Sequence, residues 1–120
     1  HKPQYRPQFV ASEGPTGGII SNINDMMIFL KAYFTGKLFP INYLDENKNW
    51  NPIQVVPFQY GTNLMKMRNM IGHSGSTGTV SYYIPEDDIF IIGATGQLDS
   101  RKTIMLTINI LQSLNYTFTM

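Results

Sequence analysis

Two strand-like runs joined by a four-residue turn constrain the fold of this chain more than any other feature. "TVSYYI" (residues 79–84) and "IFIIGA" (residues 89–94) are rich in β-branched and aromatic residues. Between them, "PEDD" begins with a proline, which favours a tight turn. A connection this short predicts an antiparallel hairpin. Because "IFIIGA" does not alternate apolar with polar residues, we expect both faces of its strand to be buried.

A second hairpin is predicted just before the first. "QYGTNLMKM" and "MIGHSG" flank Arg68 and Asn69, and Asn69 is expected to lie in the turn. The preceding residues 37–58 hold three prolines and are predicted to be mostly loop. Trp50, in this loop, either packs as an anchor, which is the commoner role, or lines a pocket.

Helical periodicity is found on both sides of the strand region. In residues 21–36, Ser21 is the expected N-cap and Gly36 the expected left-handed C-terminal stop. In the last segment, Ser100 is the expected N-cap of a closing helix. The apolar residues at helical spacing are Ile23, Met26, Met27, Leu30 and Phe34 in the first helix, and Ile104, Ile108, Leu111 and Leu114 in the second.

The order helix, tight-turned strands, helix predicts the fold class. It indicates an α+β protein with an antiparallel sheet of about three to four strands flanked by helices. We expect residues 1–120 to be one partial domain, with residues 1–18, rich in proline and glycine, as an extended segment. Because the first residue is His1 and not methionine, we also expect sequence upstream.

Composition excludes several classes of function. The net charge is +1, from nine basic and eight acidic residues, so no nucleic-acid partner is expected. The sequence has no cysteine and only two histidines, which argues against disulfides and zinc sites, and no cofactor is expected. The longest apolar run is far shorter than a membrane helix needs.

The stretch "GHSGSTG", residues 72–78, concentrates the residues capable of chemistry. A lipase-type nucleophile turn would need Gly-x-Ser-x-Gly before a helix, but the fifth position is Ser76 and a strand follows. A phosphate-binding loop would need a lysine and a helix start after the glycines, and both are missing. Neither interpretation fits, so the neighbouring motifs have to decide.

Four weak motifs occur in an order that is more specific than any one of them. "GGIIS" opens the first helix with Asp25 early in it, "YGTNL" follows, then "GHSG", then the strong hairpin and a closing helix. Over residues 14–114 this order resembles the C-terminal third of the serine β-lactamase and penicillin-binding-protein-like hydrolases, particularly the class C β-lactamase and esterase branch. The chain departs from that pattern at Asn63, where the family often has glycine, and at residues 76–78, where it often continues Gly-Thr-Pro-Gly.

The resemblance implies roles for residues 73–76. His73 stands where many members carry the lysine of Lys-Thr-Gly. The resemblance therefore implies that its imidazole positions protons or favours negative charge on the substrate. Ser74 and Gly75 are implied to line the substrate, the glycine by allowing close approach to the backbone. The N–H of Ser76 is implied to form half of an oxyanion hole.

The catalytic serine of the resembled family is absent. No serine in this chain has lysine three positions later, and no Tyr-x-Asn triplet occurs. The resemblance therefore implies a fragment that is inactive alone, from a hydrolase of β-lactams, D-Ala peptides or esters whose partner in the intact protein is a small-molecule or peptide substrate. The alternative is a non-catalytic relative that binds a ligand or a peptidoglycan fragment, in which His73 is structural. The resemblance also implies an extracytoplasmic bacterial location. In the resembled fold, strands that this chain lacks pair with one edge of residues 89–95, so an unpaired edge there predicts a homodimer or larger oligomer.

Overall fold

The chain folds into three helices and six strands in the part that the structure describes. This computed structural model describes residues 12, 14, 17–46, 48–53, 57–96 and 99–118. The helices are α1 (Ile23–Phe34), α2 (Tyr43–Glu46) and α3 (Ser100–Ser113). The strands are β1 (Asn51–Pro52), β2 (Phe58–Tyr60), β3 (Met65–Met67), β4 (Met70–Gly75), β5 (Thr79–Ile84) and β6 (Ile89–Ala94).

The strands form one antiparallel sheet in the order β1-β2-β3-β4-β5-β6, each paired with the next along the chain. The predicted α+β class with an antiparallel sheet is therefore confirmed, but three to four strands was too few. "QYGTNLMKM", predicted as one strand, divides into β2 and β3 because the chain turns after Tyr60. There the N–H of Gly61 donates to the carbonyl of Leu64 at 2.9 Å. The other additional strand, β1, lies in the segment predicted to be mostly loop.

Both predicted hairpin turns are present. Arg68 and Asn69 connect β3 to β4, with Arg68 at φ 56° and Met67 opposite Met70. The second turn, residues 85–88, ends at Asp88 with φ 52° and sets the register of β5 against β6. These two registers decide which side chains line the end of the sheet that carries residues 72–78.

The sheet has a core on each face. One cluster packs beneath α3 and consists of Met67, Met70, Val80, Tyr82, Ile84, Ile104 and Leu111. The other packs beneath α1 and α2 and consists of Leu30, Phe34, Leu44, Leu64 and Ile71. Trp50 packs against this second cluster, so it serves as a loop anchor. The expected burial of β6 on both faces is found in part: Ile89 and Ile91 pack against the first cluster and Phe90 and Ile92 against the second, but all four are only half-buried.

The helix starts differ from prediction by one residue each. Asn22, and not Ser21, caps α1, since its side chain accepts the N–H of Asp25 at 3.0 Å. Asp99, and not Ser100, caps α3 by accepting the N–H of Arg101 at 3.1 Å. Both capping residues have extended backbone and a short polar side chain, which is the geometry that reaches back to the first turn.

The helix ends fit the prediction at one helix and not at the other. Gly36 has φ 76°, and the N–H of Lys37 donates to the carbonyl of Ala32, which is a left-handed helix stop. Leu114, assigned to the buried stripe of the last helix, is 72% exposed because α3 ends at Ser113. Ile23 of the first stripe is likewise exposed.

The outer parts of the chain are described only in part. Within residues 1–18, the N–H of Gly18 donates to the carbonyl of Gly14 at 3.0 Å, so the backbone turns there, while most of the predicted extended segment lies outside the described residues. No strand of the described chain pairs with the outer edge of β6. None of the described helices has the length and apolar character needed to cross a membrane.

Candidate active site

An open pocket of about 820 Å³ lies between the start of α1 and the ends of strands β4, β5 and β6. On the helix side it is lined by Gly17, Ile19, Ile20, Ser21, Asn22, Ile23, Asp25, Met26 and Phe29. On the strand side it is lined by His73, Ser74, Gly75, Thr79, Val80, Ser81, Ile92, Gly93 and Ala94. The structure thus brings three of the four predicted site residues to one pocket wall, opposite the helix that "GGIIS" opens. We call this cavity the helix–strand pocket.

His73 is held by hydrogen bonds at both ring nitrogens. Its Nδ1 lies 2.8 Å from the carbonyl oxygen of Ser74, and its Nε2 lies 2.6 Å from the hydroxyl of Tyr60. A carbonyl oxygen can only accept, so the proton of the neutral ring is on Nδ1. Nε2 is then the acceptor, and Tyr60 is the donor. The ring is therefore oriented, but in this state it has no free N–H to offer a ligand.

The sheet register brings Tyr60 to His73. Tyr60 lies opposite Met65, and Met65 lies opposite Gly72, the residue before His73. The two rings meet edge to face with centroids 5.6 Å apart. In the sequence Tyr60 stands out only as part of "YGTNL", and no local pattern predicts its contact with His73, because that contact crosses an intervening strand, β3.

At Gly72 and Gly75, strand β5 lies too close to leave room for a side chain. A Cβ at Gly72 would collide with the carbonyl oxygen of Ser81 on the paired strand. A Cβ at Gly75 would collide with the hydroxyl of Thr79, so the room at Gly75 accommodates this side chain. On this side of the Gly75 backbone, the Thr79 side chain occupies the space that was predicted for a substrate.

The two serines predicted to act in the site are placed differently. Ser74 lines the helix–strand pocket, and its hydroxyl is directed at the sulfur of Met65, 3.7 Å away. Ser76 lies in the exposed turn of residues 76–78, just after β4, and its side chain is not part of the lining. A role for Ser76 would therefore have to use its backbone N–H.

The turn that carries Ser76 is held by two hydrogen-bond donors that share the backbone carbonyl of Gly78. The oxygen of Gly78 accepts the N–H of Thr95 and the hydroxyl of Thr103, each at 2.9 Å. The hydroxyls of Thr95 and Thr103 are 2.8 Å apart, and Thr103 is buried. Because these contacts join the turn to the end of β6 and to α3, the backbone after Gly75 is held in place.

Ser81 is a pocket residue that no sequence signal marked. Its Oγ is buried and has no hydrogen-bond partner among the described residues. It lies directly opposite His73 in the β4–β5 register. Ser81 belongs to the alternating run "TVSYYI", where a serine is compatible with any solvent-facing position, so its place on the wall follows from the register alone.

The described residues contain no cluster of histidine, cysteine, aspartate or glutamate that could hold a metal ion. The chain matches no protein-family model, and neither the curated proteins nor the solved structures include a significant match. The site thus consists of an oriented imidazole, a tyrosine that donates a hydrogen bond to it, and a turn held by hydrogen bonds to the Gly78 carbonyl. These groups lie at the rim of a largely apolar pocket.

Proposed function

We propose that this chain is the C-terminal, substrate-facing part of a serine hydrolase related to the class C β-lactamases and esterases. The observation that carries the proposal is that the His73–Gly75 segment of β4 lines the helix–strand pocket, facing the start of α1. The motif order in the sequence supports it, since "GGIIS" and "GHSG" are 54 residues apart in the chain, counted from Gly18 to Gly72, and meet across one cavity.

In this proposal the wall positions the substrate and another part of the protein supplies the nucleophile. His73 and Tyr60 would act as one pair, in which the imidazole takes up a proton only when Tyr60 releases Nε2 or passes the proton on. The Ser76 N–H would contribute half of an oxyanion hole, for which a fixed backbone is a requirement that the Gly78 contacts meet. A protein of this family branch would act outside the bacterial cytoplasm.

The second candidate is a non-catalytic domain that binds a ligand or a peptidoglycan fragment in the same pocket. One observation favours it. Both ring nitrogens of His73 already have partners within the chain. In that case the Tyr60–His73 pair stabilises the wall and transfers no proton.

The hydrolase proposal requires a Ser-x-x-Lys motif in a part of the protein outside residues 1–120, and this requirement separates the two candidates. A Ser-x-x-Lys motif there supports the hydrolase, and its absence supports the binding domain. The purified chain should not be labelled covalently by a fluorescent penicillin, because acyl transfer needs a nucleophile with its base. Denaturation-resistant labelling of this chain would contradict that expectation.

The role of His73 is tested in the longer protein. His73→Ala should lower kcat/KM for a chromogenic β-lactam or a p-nitrophenyl ester by about 10²–10⁴-fold, the range for loss of a proton-positioning or electrostatic group. Thr77→Ala in the neighbouring exposed turn is the matched control, and we expect its kinetics to stay close to wild type. Unchanged kinetics for His73→Ala would leave the imidazole a structural role only.

A further inference from the structure

The hydroxyl of Ser81 is buried beside His73 and is not hydrogen-bonded to any of the described residues. Such a group is rare in a folded protein, because it has given up its bond to water and gained nothing in exchange. The cross-strand neighbours of Ser81 are His73 on β4 and Ile92 on β6. The side chain of Ile92 has no polar atom, so of these two neighbours only His73 can become a hydrogen-bond partner.

The sheet register places the Ser81 and His73 side chains within reach of each other. Residues directly opposite on antiparallel strands point to the same face, with Cβ atoms about 4.5–5.5 Å apart. Ser81 and His73 are such a pair, and both line the helix–strand pocket. From this separation, a rotation about the Cα–Cβ bond of His73 can bring a ring nitrogen to the Ser81 hydroxyl. Because His73 is exposed at the pocket, its ring has room for this movement.

Tyr60 and Ser81 lie on opposite sides of the strand that carries His73. Tyr60 belongs to β2, beyond β3, whereas Ser81 belongs to β5, the neighbour of β4 on its other side. An imidazole that turns towards Ser81 therefore turns away from Tyr60. The hydrogen bond to Tyr60 and a hydrogen bond to Ser81 are alternatives, and the ring makes one or the other.

The hydrogen bonds of the two ring orientations nearly balance. Turning away from Tyr60 breaks two bonds of the ring, one to the Tyr60 hydroxyl and one to the Ser74 carbonyl, and both are exposed to water that can replace them. The new bond satisfies the buried Ser81 hydroxyl, which is the costlier group to leave unpaired. We therefore expect the second orientation to be a minor state with a population of about 1–10%.

We propose that Ser81 is a positioning residue for His73, and that its hydroxyl accepts the Nδ1–H of the imidazole in a second orientation of the ring. In that orientation Nε2 is released from Tyr60 and faces the pocket, where its lone pair can accept a proton. The observed orientation is the resting one, in which Tyr60 occupies Nε2. The use of the second orientation in catalysis rests on the function proposed above, whereas the existence of the two orientations does not.

The exchange between the two orientations is measured by NMR on the 120-residue chain, with the imidazole neutral. Relaxation dispersion of the His73 ring ¹³C and ¹⁵N signals should report microsecond-to-millisecond exchange with the minor state. Tyr60→Phe removes the donor of the resting orientation, so we expect the minor population to rise about fivefold, the ratio for loss of one hydrogen bond. Nuclear Overhauser contacts between the His73 ring protons and the Ser81 Hβ protons should then appear.

Three serine variants assign the exchange to the Ser81 hydroxyl. Ser81→Ala should abolish the dispersion, and Ser81→Thr, which keeps a hydroxyl on the same carbon, should retain it. Ser74→Ala is the matched control and should exchange as wild type does, because the Ser74 hydroxyl is directed at the sulfur of Met65 and its backbone carbonyl is unchanged. Ser81→Ala should also melt no lower than Ser74→Ala, since it removes a buried hydroxyl that is unpaired in the resting orientation.

The same variants test the catalytic use of the second orientation in a longer form of the protein that hydrolyses a substrate. Ser81→Ala should lower kcat about tenfold or more at a KM close to that of wild type, because the imidazole then lacks its proton-accepting orientation while the pocket is unchanged. Ser81→Thr should recover most of kcat.

The inference is overturned if the His73 ring of the wild-type chain shows a single state, if Ser81→Ala and Ser74→Ala change the exchange equally, or if Tyr60→Phe gives no contact between His73 and Ser81. It is also overturned if Ser81→Ala melts well below Ser74→Ala, which would mean that the Ser81 hydroxyl already has a partner. Failure of the hydrolase proposal has a different signature, namely the expected exchange in the 120-residue chain but no hydrolysis by any longer form of the protein.

Discussion

Thr103 gives the sharpest test of how the turn beside the site is held. Its hydroxyl donates to the carbonyl of Gly78 at 2.9 Å and accepts from the Thr95 hydroxyl at 2.8 Å, and the residue is 3% exposed. Thr103→Val keeps the shape of the side chain and removes both hydrogen bonds. At about 1 kcal/mol for each bond, the largest expected loss in the free energy of unfolding is about 2 kcal/mol.

Partial compensation sets the lower limit of this loss. The Gly78 oxygen keeps the N–H of Thr95, and the Thr95 hydroxyl has a second approach to the same oxygen at 3.4 Å. We therefore expect a loss of about 1–2 kcal/mol, which for a chain of this size lowers the melting temperature by roughly 4–8 °C. Chemical denaturation and thermal melting monitored by circular dichroism measure it.

Thr107→Val is the matched control on the same buried helix face. The Thr107 hydroxyl donates only to the carbonyl of Thr103 within α3, at 3.0 Å, a local bond that contributes little to stability. Its replacement should cost less than about 0.5 kcal/mol. Amide exchange at Thr95 should accelerate in Thr103→Val and not in Thr107→Val. Equal destabilisation of the two variants would refute the argument that the Gly78 carbonyl is the point of attachment.

Three further outcomes are expected. In ¹⁵N NMR of the neutral ring, His73 should carry its proton on Nδ1, and Tyr60→Phe should shift the Nε2 signal; a ring protonated mainly on Nε2 would contradict the hydrogen-bond assignment. Burial, together with the hydrogen bond to Asp87, raises the pKa of Tyr116, so this hydroxyl should stabilise the fold below the tyrosine's ordinary pKa and lose that effect as pH rises through the raised value; Tyr116→Phe should show a smaller alkaline loss in denaturant melts. The chain should associate as a homodimer or larger oligomer through β6 or α3, and a well-folded monomer in sedimentation at low micromolar concentration would count against this.

The predictable part of the fold is the part with local signals. The β5–β6 hairpin and the two long helices follow from β-rich runs, a proline-initiated turn and helical spacing, all of which act within a few residues. The helix caps were wrong by one residue because Ser21 and Asn22, like Asp99 and Ser100, are adjacent residues that can each cap a helix. The packing of the helix on the sheet decides between such neighbours, and that packing is not a local property.

The strands that the sequence did not reveal are short and lie next to breaking residues. β1 includes Pro52, a residue that cannot donate to a ladder and is tolerated here because β1 lies at the outer end of the described sheet. β2 and β3 have three residues each, too few for an alternating pattern to be recognised. β3 depends on pairing with β4, and β2 on pairing with β3, so both could be predicted only once the long hairpins were in place.

The site residues also divide into those that the local sequence predicts and those that only the folded sheet brings in, and this difference bears on function. The sequence could place His73, Ser74 and Gly75 on one strand, but the partner of His73 comes from β2, two strands away, through a register that only the folded sheet defines. That partner changes what the imidazole can do. Because Tyr60 already donates to Nε2, His73 can take a proton from a substrate or a nucleophile only if Tyr60 releases it, or if the proton passes through the Tyr60 hydroxyl. A catalytic parent would therefore depend on Tyr60 and His73 as one unit, and the losses from Tyr60→Phe and His73→Ala would be far from additive. A binding domain would show two small, nearly independent effects on stability.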